Sequence, residues 1–261
     1  MYAFTLEEIG RCSEAEGYAR SGLIKNPRDG WTTHAMAHVF ERQGRWSDGL
    51  NFMSDNSKLW TTSNLLACHN YWHFSLFHLA NDNVDEAIYL LDNEILPRMR
   101  SWQSTFSICD ASSLLYRLSL KVPPALEKNS LDVRFNAVYS VTQQYLNRHI
   151  LPFNDVHFMM ACLGSGHQKE AADLLATLSS SPYAEAHPQT SSFTGQLMLA
   201  MSLAAEGKFA RASDVLLSIG DSIQKIGGSD AQRDVFHQLL LSSLSQSNES
   251  SHREKLEQLI H

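Results

Sequence analysis

One short pattern recurs along the chain at intervals that fit a pair of helices, and it leaves little choice of fold. A turn residue is followed by four mostly polar or aromatic residues, then by a small residue that opens an apolar-periodic run. It reads GRCSEA from Gly10, GRWSDG from Gly44, DNVDEA from Asp82, GHQKEA from Gly166 and GKFARA from Gly207. The turn residues lie 34, 38, 84 and 41 positions apart, so the 84 stands for two units and a diverged helix pair is expected between Asp82 and Gly166. A last, weaker copy is expected near Asn248. A period in this range is the mark of a repeat array, in which each unit buries its neighbour's apolar face.

Helical spacing flanks each turn. Met36, Val39, Phe40 and Gln43 share a face before Gly44, and Ala212, Val215, Leu216 and Ile219 share one after Gly207. Seven positions before the turn residues stand Ala3, Ala37, Ser75, Met159 and Ala200, mostly small, as close helix packing requires. No alternating segment long enough for a strand is present. The hidden unit is read from Ser104 to Lys121 and then from Ser130, as a helix cap, to about Arg148. Pro123 and Pro124 are read as stopping the first of these helices and Pro152 as ending the region, with Asn154 or Asp155 capping the next helix. The serine-rich stretch after Gly207 closes on REKLEQLI, expected to be a short solvated cap helix.

Composition narrows the function. With 261 residues, a hydrophobic fraction of 43% and a charged fraction of 19%, the chain is an ordinary globular one and not a disordered one. A net charge of −7 offers no basic stripe to a nucleic-acid backbone, and no apolar run is long enough to span a membrane. The acidic start MYAFTLEEIGRCSEAEGYAR lacks the apolar core of a targeting peptide. Cys12, Cys68, Cys109 and Cys162 are scattered, which points to buried thiols in a reducing, cytoplasmic setting and not to a disulfide frame. Five of the twelve histidines crowd between Trp31 and His78, in HAMAHVFE (His34, His38, Glu41) and CHNYWHFSLFH (His69, His73, His78).

The unit resembles the tetratricopeptide repeat, most closely in IGRCSEAEGYARSGLIKNP, where Ala15 follows the turn and Pro27 closes the second helix. THAMAHVFE, HNYWHFSLFH, DASSLLYRL and FNDVHFMMACLGSGH further resemble the tetratricopeptide repeat protein 38 family, over about Glu7 to Gly207. Phe74, Cys109 and Tyr116 depart from the family's blocks. The resemblance implies an all-α chain, a right-handed α-solenoid of about six helical hairpins. The units fall near 1–27, 31–56, 62–97, 104–149, 154–180 and 190–226, with a C-terminal cap at 229–261. It also implies that this is the C-terminal portion of a longer protein. It brings no established biochemical activity with it.

In tetratricopeptide arrays the first helix of each hairpin lines a concave groove. Counting back from the turn residues puts Trp31, His34, His38, Glu41, His69, Trp72, His73 and His157 on that groove, with Asp110 and Asp155 beside them. Three readings stay open. The first is a scaffold that binds a protein or peptide partner in a His/Trp-lined groove. In the second, a histidine/carboxylate pocket takes a metal ion or a small polar molecule, since His34/His38 and His69/His73 are spaced i, i+4 and share a helix face. The third is purely structural hydrogen bonding of the imidazoles. Catalysis would draw on His34, His38, His73 and His157 as bases, but no phosphate loop and no nucleophile motif accompanies them, so no catalytic residue is assigned and no cofactor is expected. Cys68 is adjacent to His69 and points about 100° away from it.

Overall fold

The computed structural model describes residues 2–121 and 124–260; side chains at 64, 65, 124–130 and 221 are outside the description. It is all-helical, with no strand among the described residues. Among the described residues no helix is long and apolar enough to cross a membrane. The chain divides into two compact units, 1–114 and 115–261.

In the first unit α1 (Tyr2–Glu8), α2 (Cys12–Lys25), α3 (Gly30–Arg42), α4 (Trp46–Asp55), α5 (Ser57–Trp60) and α6 (Asn64–Ala80) are followed by α7 (Val84–Leu90). A π-turn at Leu91–Ile95 joins α7 to α8 (Leu96–Trp102), next to Pro97, whose missing N–H interrupts the ladder. Then comes α9 (Thr105–Lys121), within which the division between the units falls. Helices α1, α3 and α6 pack side by side in chain order, while α2 covers α1 and α3, and α4 covers α3 and α6.

The second unit holds α10 (Pro124–Thr142), α11 (Pro152–Gly164), α12 (Gln168–Leu178), α13 (Pro182–Ala186), α14 (Pro188–Ala205), α15 (Phe209–Ile219), α16 (Asp230–Gln246) and α17 (Ser250–Ile260). Here α11 packs on α10, α12 and α14, and α15 packs on α14 and α16.

The repeated turn has one physical form. Gly10, Gly44, Asp82, Gly166 and Gly207 all have φ between 59° and 80°, the left-handed region. Around each, the amide of the following residue bonds back five positions: Arg11 to Leu6 at 2.8 Å, Arg45 to Phe40 at 2.8 Å, Asn83 to His78 at 2.9 Å, His167 to Cys162 at 2.9 Å and Lys208 to Leu203 at 2.8 Å. The turn residue's own amide bonds back three positions in every case. This is the Schellman closure, which satisfies the last carbonyls of the helix and reverses the chain. The small residues five positions on, Ala15, Gly49, Ala87, Ala171 and Ala212, are buried, as are all five residues seven positions before.

Several expected boundaries shift. Ser130 lies inside α10, not at its cap, because Pro124 already starts that helix; α9 ends at Lys121, where the prolines were expected to stop it. Pro123 lies outside the described residues. Pro152 likewise opens α11, with Leu151 at the N-cap, so Asp155 sits in the first turn and Asn154 follows Pro152 within the helix. The reason is common to both: proline's fixed φ and absent donor cost nothing at the first helical position. The cap region carries two helices, α16 with a Ser229–Gln232 capping box and α17, which starts ahead of REKLEQLI.

Candidate functional site: a buried four-histidine cluster

Two helices supply the imidazoles. Asp29 caps α3, its side chain accepting from the amides of Trp31 at 3.0 Å and Thr32 at 3.3 Å, which fixes where the helix starts and which face carries His34 and His38. Gly30 lets α3 lie close against α6: a Cβ there would meet Ser63 Oγ at 2.5 Å, and Asn70 Nδ2 donates to the Gly30 carbonyl at 3.2 Å. That approach brings the His34 ring to 4.9 Å from His69 and 5.2 Å from His73, between ring centroids, while His38 lies 4.6 Å from His73. All four histidines are buried, none more than 5% exposed. Each can offer a nitrogen such that all four atoms lie within 4.8 Å of one another.

Carboxylates surround the rings. His69 Nδ1 donates to Asp110 Oδ1 at 2.8 Å, from α6 to α9, and His73 Nδ1 donates to Glu41 Oε2 at 2.9 Å, from α6 to α3. Glu7 of α1 accepts from Arg42 Nε at 2.6 Å and stands 3.8 Å from His38 Nδ1. The Nε2 atoms of His34 and His38 face each other at 3.0 Å. Two buried polar atoms of the cluster, His34 Nδ1 and Asp110 Oδ2, have no hydrogen-bond partner. Burial drives the His34 imidazole well below its usual range, with the neighbouring His38 and His69 adding to the effect. It takes His38 down to about 3, again mainly by desolvation. Both rings are therefore neutral at physiological pH.

Aromatic rings seal the cluster. Phe4 of α1 stacks on His34 at 5.3 Å and meets His38 edge-on at 5.1 Å; Phe106 of α9 lies 4.7 Å from His69. Trp72 stacks on His69 at 5.1 Å, with its Nε1 donating to Ser113 Oγ at 2.9 Å. Trp31 touches the His34 ring edge-on at 5.9 Å but is itself 52% exposed. Of the residues singled out in the sequence, then, His34, His38, Glu41, His69, Trp72, His73 and Asp110 come together in the first unit, beneath the surface and not on an open wall. Trp31 is exposed, and Glu41 is part-buried, its side chain 12% exposed.

Asp155 and His157 have their partners in the second unit. Asp155 Oδ2 accepts from His149 Nδ1 at 3.0 Å, and His149 Nε2 meets Thr177 Oγ1 at 2.9 Å, tying the loop before α11 to α12. His157 Nδ1 donates to the Phe153 carbonyl at 2.6 Å, and burial lowers its pKa to about 4, with nearby Arg117 acting in the same direction. A cavity of about 650 Å³ in this unit, lined by Phe135, Leu163, Phe209 and Leu239 among others, contains none of the residues singled out as site candidates. Sequence reasoning missed Glu7, His149 and His252. Glu7 pairs with Arg42 across 35 positions, and His252 Nε2 meets Asp214 Oδ1 at 3.1 Å to hold α17 on α15; neither carries a local signal. Cys68 contacts the Ile95 carbonyl at 3.9 Å, and burial raises its thiol well above the usual range, so it is not paired with His69 as a nucleophile. No known family model and no solved structure matches the chain.

Proposed function

We propose that this chain is a tetratricopeptide-like α-solenoid of about six hairpins, related to the tetratricopeptide repeat protein 38 family, that acts as a non-enzymatic cytoplasmic scaffold for a protein or peptide partner. The observation that carries this reading is the five-fold recurrence of one turn, each time with a left-handed residue, the same backbone closure and buried residues at the same flanking positions. Repeat arrays build an extended wall from successive first helices, and the side-by-side packing of α1, α3 and α6 is consistent with such a wall. A partner docking there meets Trp31 and not the histidines, which are closed off beneath it. A half-exposed indole is a favoured anchor at protein interfaces.

The test is site-specific photocrosslinking of the full chain in its cells, with the reactive group at position 31 and a control at Ile24, which is 83% exposed. Crosslinks from position 31 to a defined peptide segment, absent from position 24, support the reading when that synthetic segment binds the purified protein and Trp31→Ala weakens binding at least tenfold. Equal crosslinking from both positions, or a segment indifferent to Trp31→Ala, overturns it. Small-angle scattering tests the architecture separately: a solenoid gives an elongated envelope, a closed bundle a compact one.

A further inference from the structure

Four buried imidazoles in mutual contact are more polar donors than a helical interface needs, and their arrangement has a chemical meaning of its own. We propose that His34, His38, His69 and His73 bind one divalent transition-metal ion of the zinc class, in a four-nitrogen site buried between α3 and α6.

The donor set fits. A tetrahedral zinc–imidazole centre with bonds of 2.0–2.1 Å separates its nitrogens by roughly 3.3 Å. His34 Nε2 and His38 Nε2 already stand 3.0 Å apart, and all four donor atoms lie within 4.8 Å of one another, so small side-chain rotations close the shell. The i, i+4 spacing on each helix supplies two ligands from one face, and two helices complete four. Because a carboxylate can only accept, Asp110 and Glu41 fix the Nδ1–H tautomers of His69 and His73, which puts the ligating lone pair on Nε2. Carboxylate–histidine pairs of this kind orient ligands around metal centres and raise their basicity. Glu7 stands in a similar place behind His38.

A second observation points to a cation independently of the imidazole geometry. Asp110 is 1% exposed; its Oδ1 holds His69 Nδ1 at 2.8 Å, and its Oδ2 has no hydrogen-bond partner. A buried carboxylate in that position is costly unless a positive charge lies nearby. An ion on His69 supplies that charge one imidazole away. The absence of thiolate from the set selects among metals: imidazole suits zinc, copper, nickel and iron(II), whereas soft monovalent copper prefers sulfur. Asp214, Glu249 and His252 form a different group with two exposed acids, and we assign nothing to it.

The experiment uses the full chain purified without a histidine tag, stripped with a chelator and titrated with cobalt(II), then zinc(II). Expected are one cobalt(II) per chain with the intense visible absorption of four-coordinate cobalt, its displacement by zinc(II), and a higher melting temperature in the zinc form. Absence of uptake, or only the weak absorption of six-coordinate cobalt, overturns the proposal. His34→Gln and His73→Gln should each abolish the intense band, and His237→Gln, at an exposed histidine, should leave it intact. A band that survives both core substitutions also overturns it. Should those variants fail to fold, Asp110→Asn decides. It keeps all four imidazoles, and the proposal requires the cobalt band to persist while zinc affinity falls roughly 10–100-fold; unchanged affinity counts against the site.

Discussion

Two glycines of the repeated pattern show how one residue type serves two physical purposes. Gly49 has no left-handed backbone, yet a Cβ there would fall 2.5 Å from the ring of Phe77, which is fully buried and cannot swing away. Gly207 has φ 73° and nothing within 4 Å of an added Cβ. Gly49→Ala therefore overpacks the α4–α6 contact and should cost about 1–3 kcal/mol, whereas Gly207→Ala pays only for its backbone, about 1 kcal/mol. Denaturant titration of both variants checks the ranking; equal costs would mean that the Phe77 contact yields. The small slot at position 49 was legible, because alanine fills its counterpart after the other four turns. That Phe77 presses into it was not legible, since the two residues meet only through the packing of α4 on α6.

At the level of elements, turns were easier to read than faces. Turn chemistry is local: a residue tolerant of positive φ, a capping closure and a buried small neighbour all sit within a dozen positions. Groove and core are not local. Helix α6 is buried along most of its length, lying against α3 and α4 and bonded to α9 through His69 and Trp72, so its hydrophobic pattern has no solvent side to mark. The i, i+4 pairs correctly grouped the histidines, but nothing in their spacing tells an inner wall from a sealed interior. Prolines misled for a related reason, since a residue that breaks a helix interior also opens one. At α16 the local signal is complete. Ser229 Oγ accepts from the Gln232 amide at 3.3 Å, and Gln232 Oε1 accepts from the Ser229 amide at 3.0 Å. Ser229→Ala should cost about 1 kcal/mol and speed amide exchange in the first turn of α16 relative to its middle. Uniform exchange along the helix would show that packing, not the cap, sets its start.

For the molecule as a whole, the buried histidines translate into acid sensitivity, and His157 isolates the effect from the cluster. Its ring is held neutral in the second unit by burial, with Arg117 further disfavouring a proton, and its folded pKa is about 4 against an ordinary value of about 6.5. As pH falls below 6.5 the unfolded chain takes up a proton that the folded chain refuses until about pH 4. Unfolding is then favoured by proton binding, and stability declines across that window. At 1.36 kcal/mol per unit the loss approaches about 3 kcal/mol by pH 4. Above pH 6.5 both states are neutral at this site and it contributes no slope. His157→Asn keeps a donor for the Phe153 carbonyl and removes the titration. It should lower stability at pH 7.5, where the imidazole's packing is lost, but flatten the decline between pH 6.5 and 4. Urea titrations of both proteins across that range measure the difference in slope directly. Parallel curves would mean that the folded ring takes up its proton as readily as the unfolded one, so that burial does not depress its pKa.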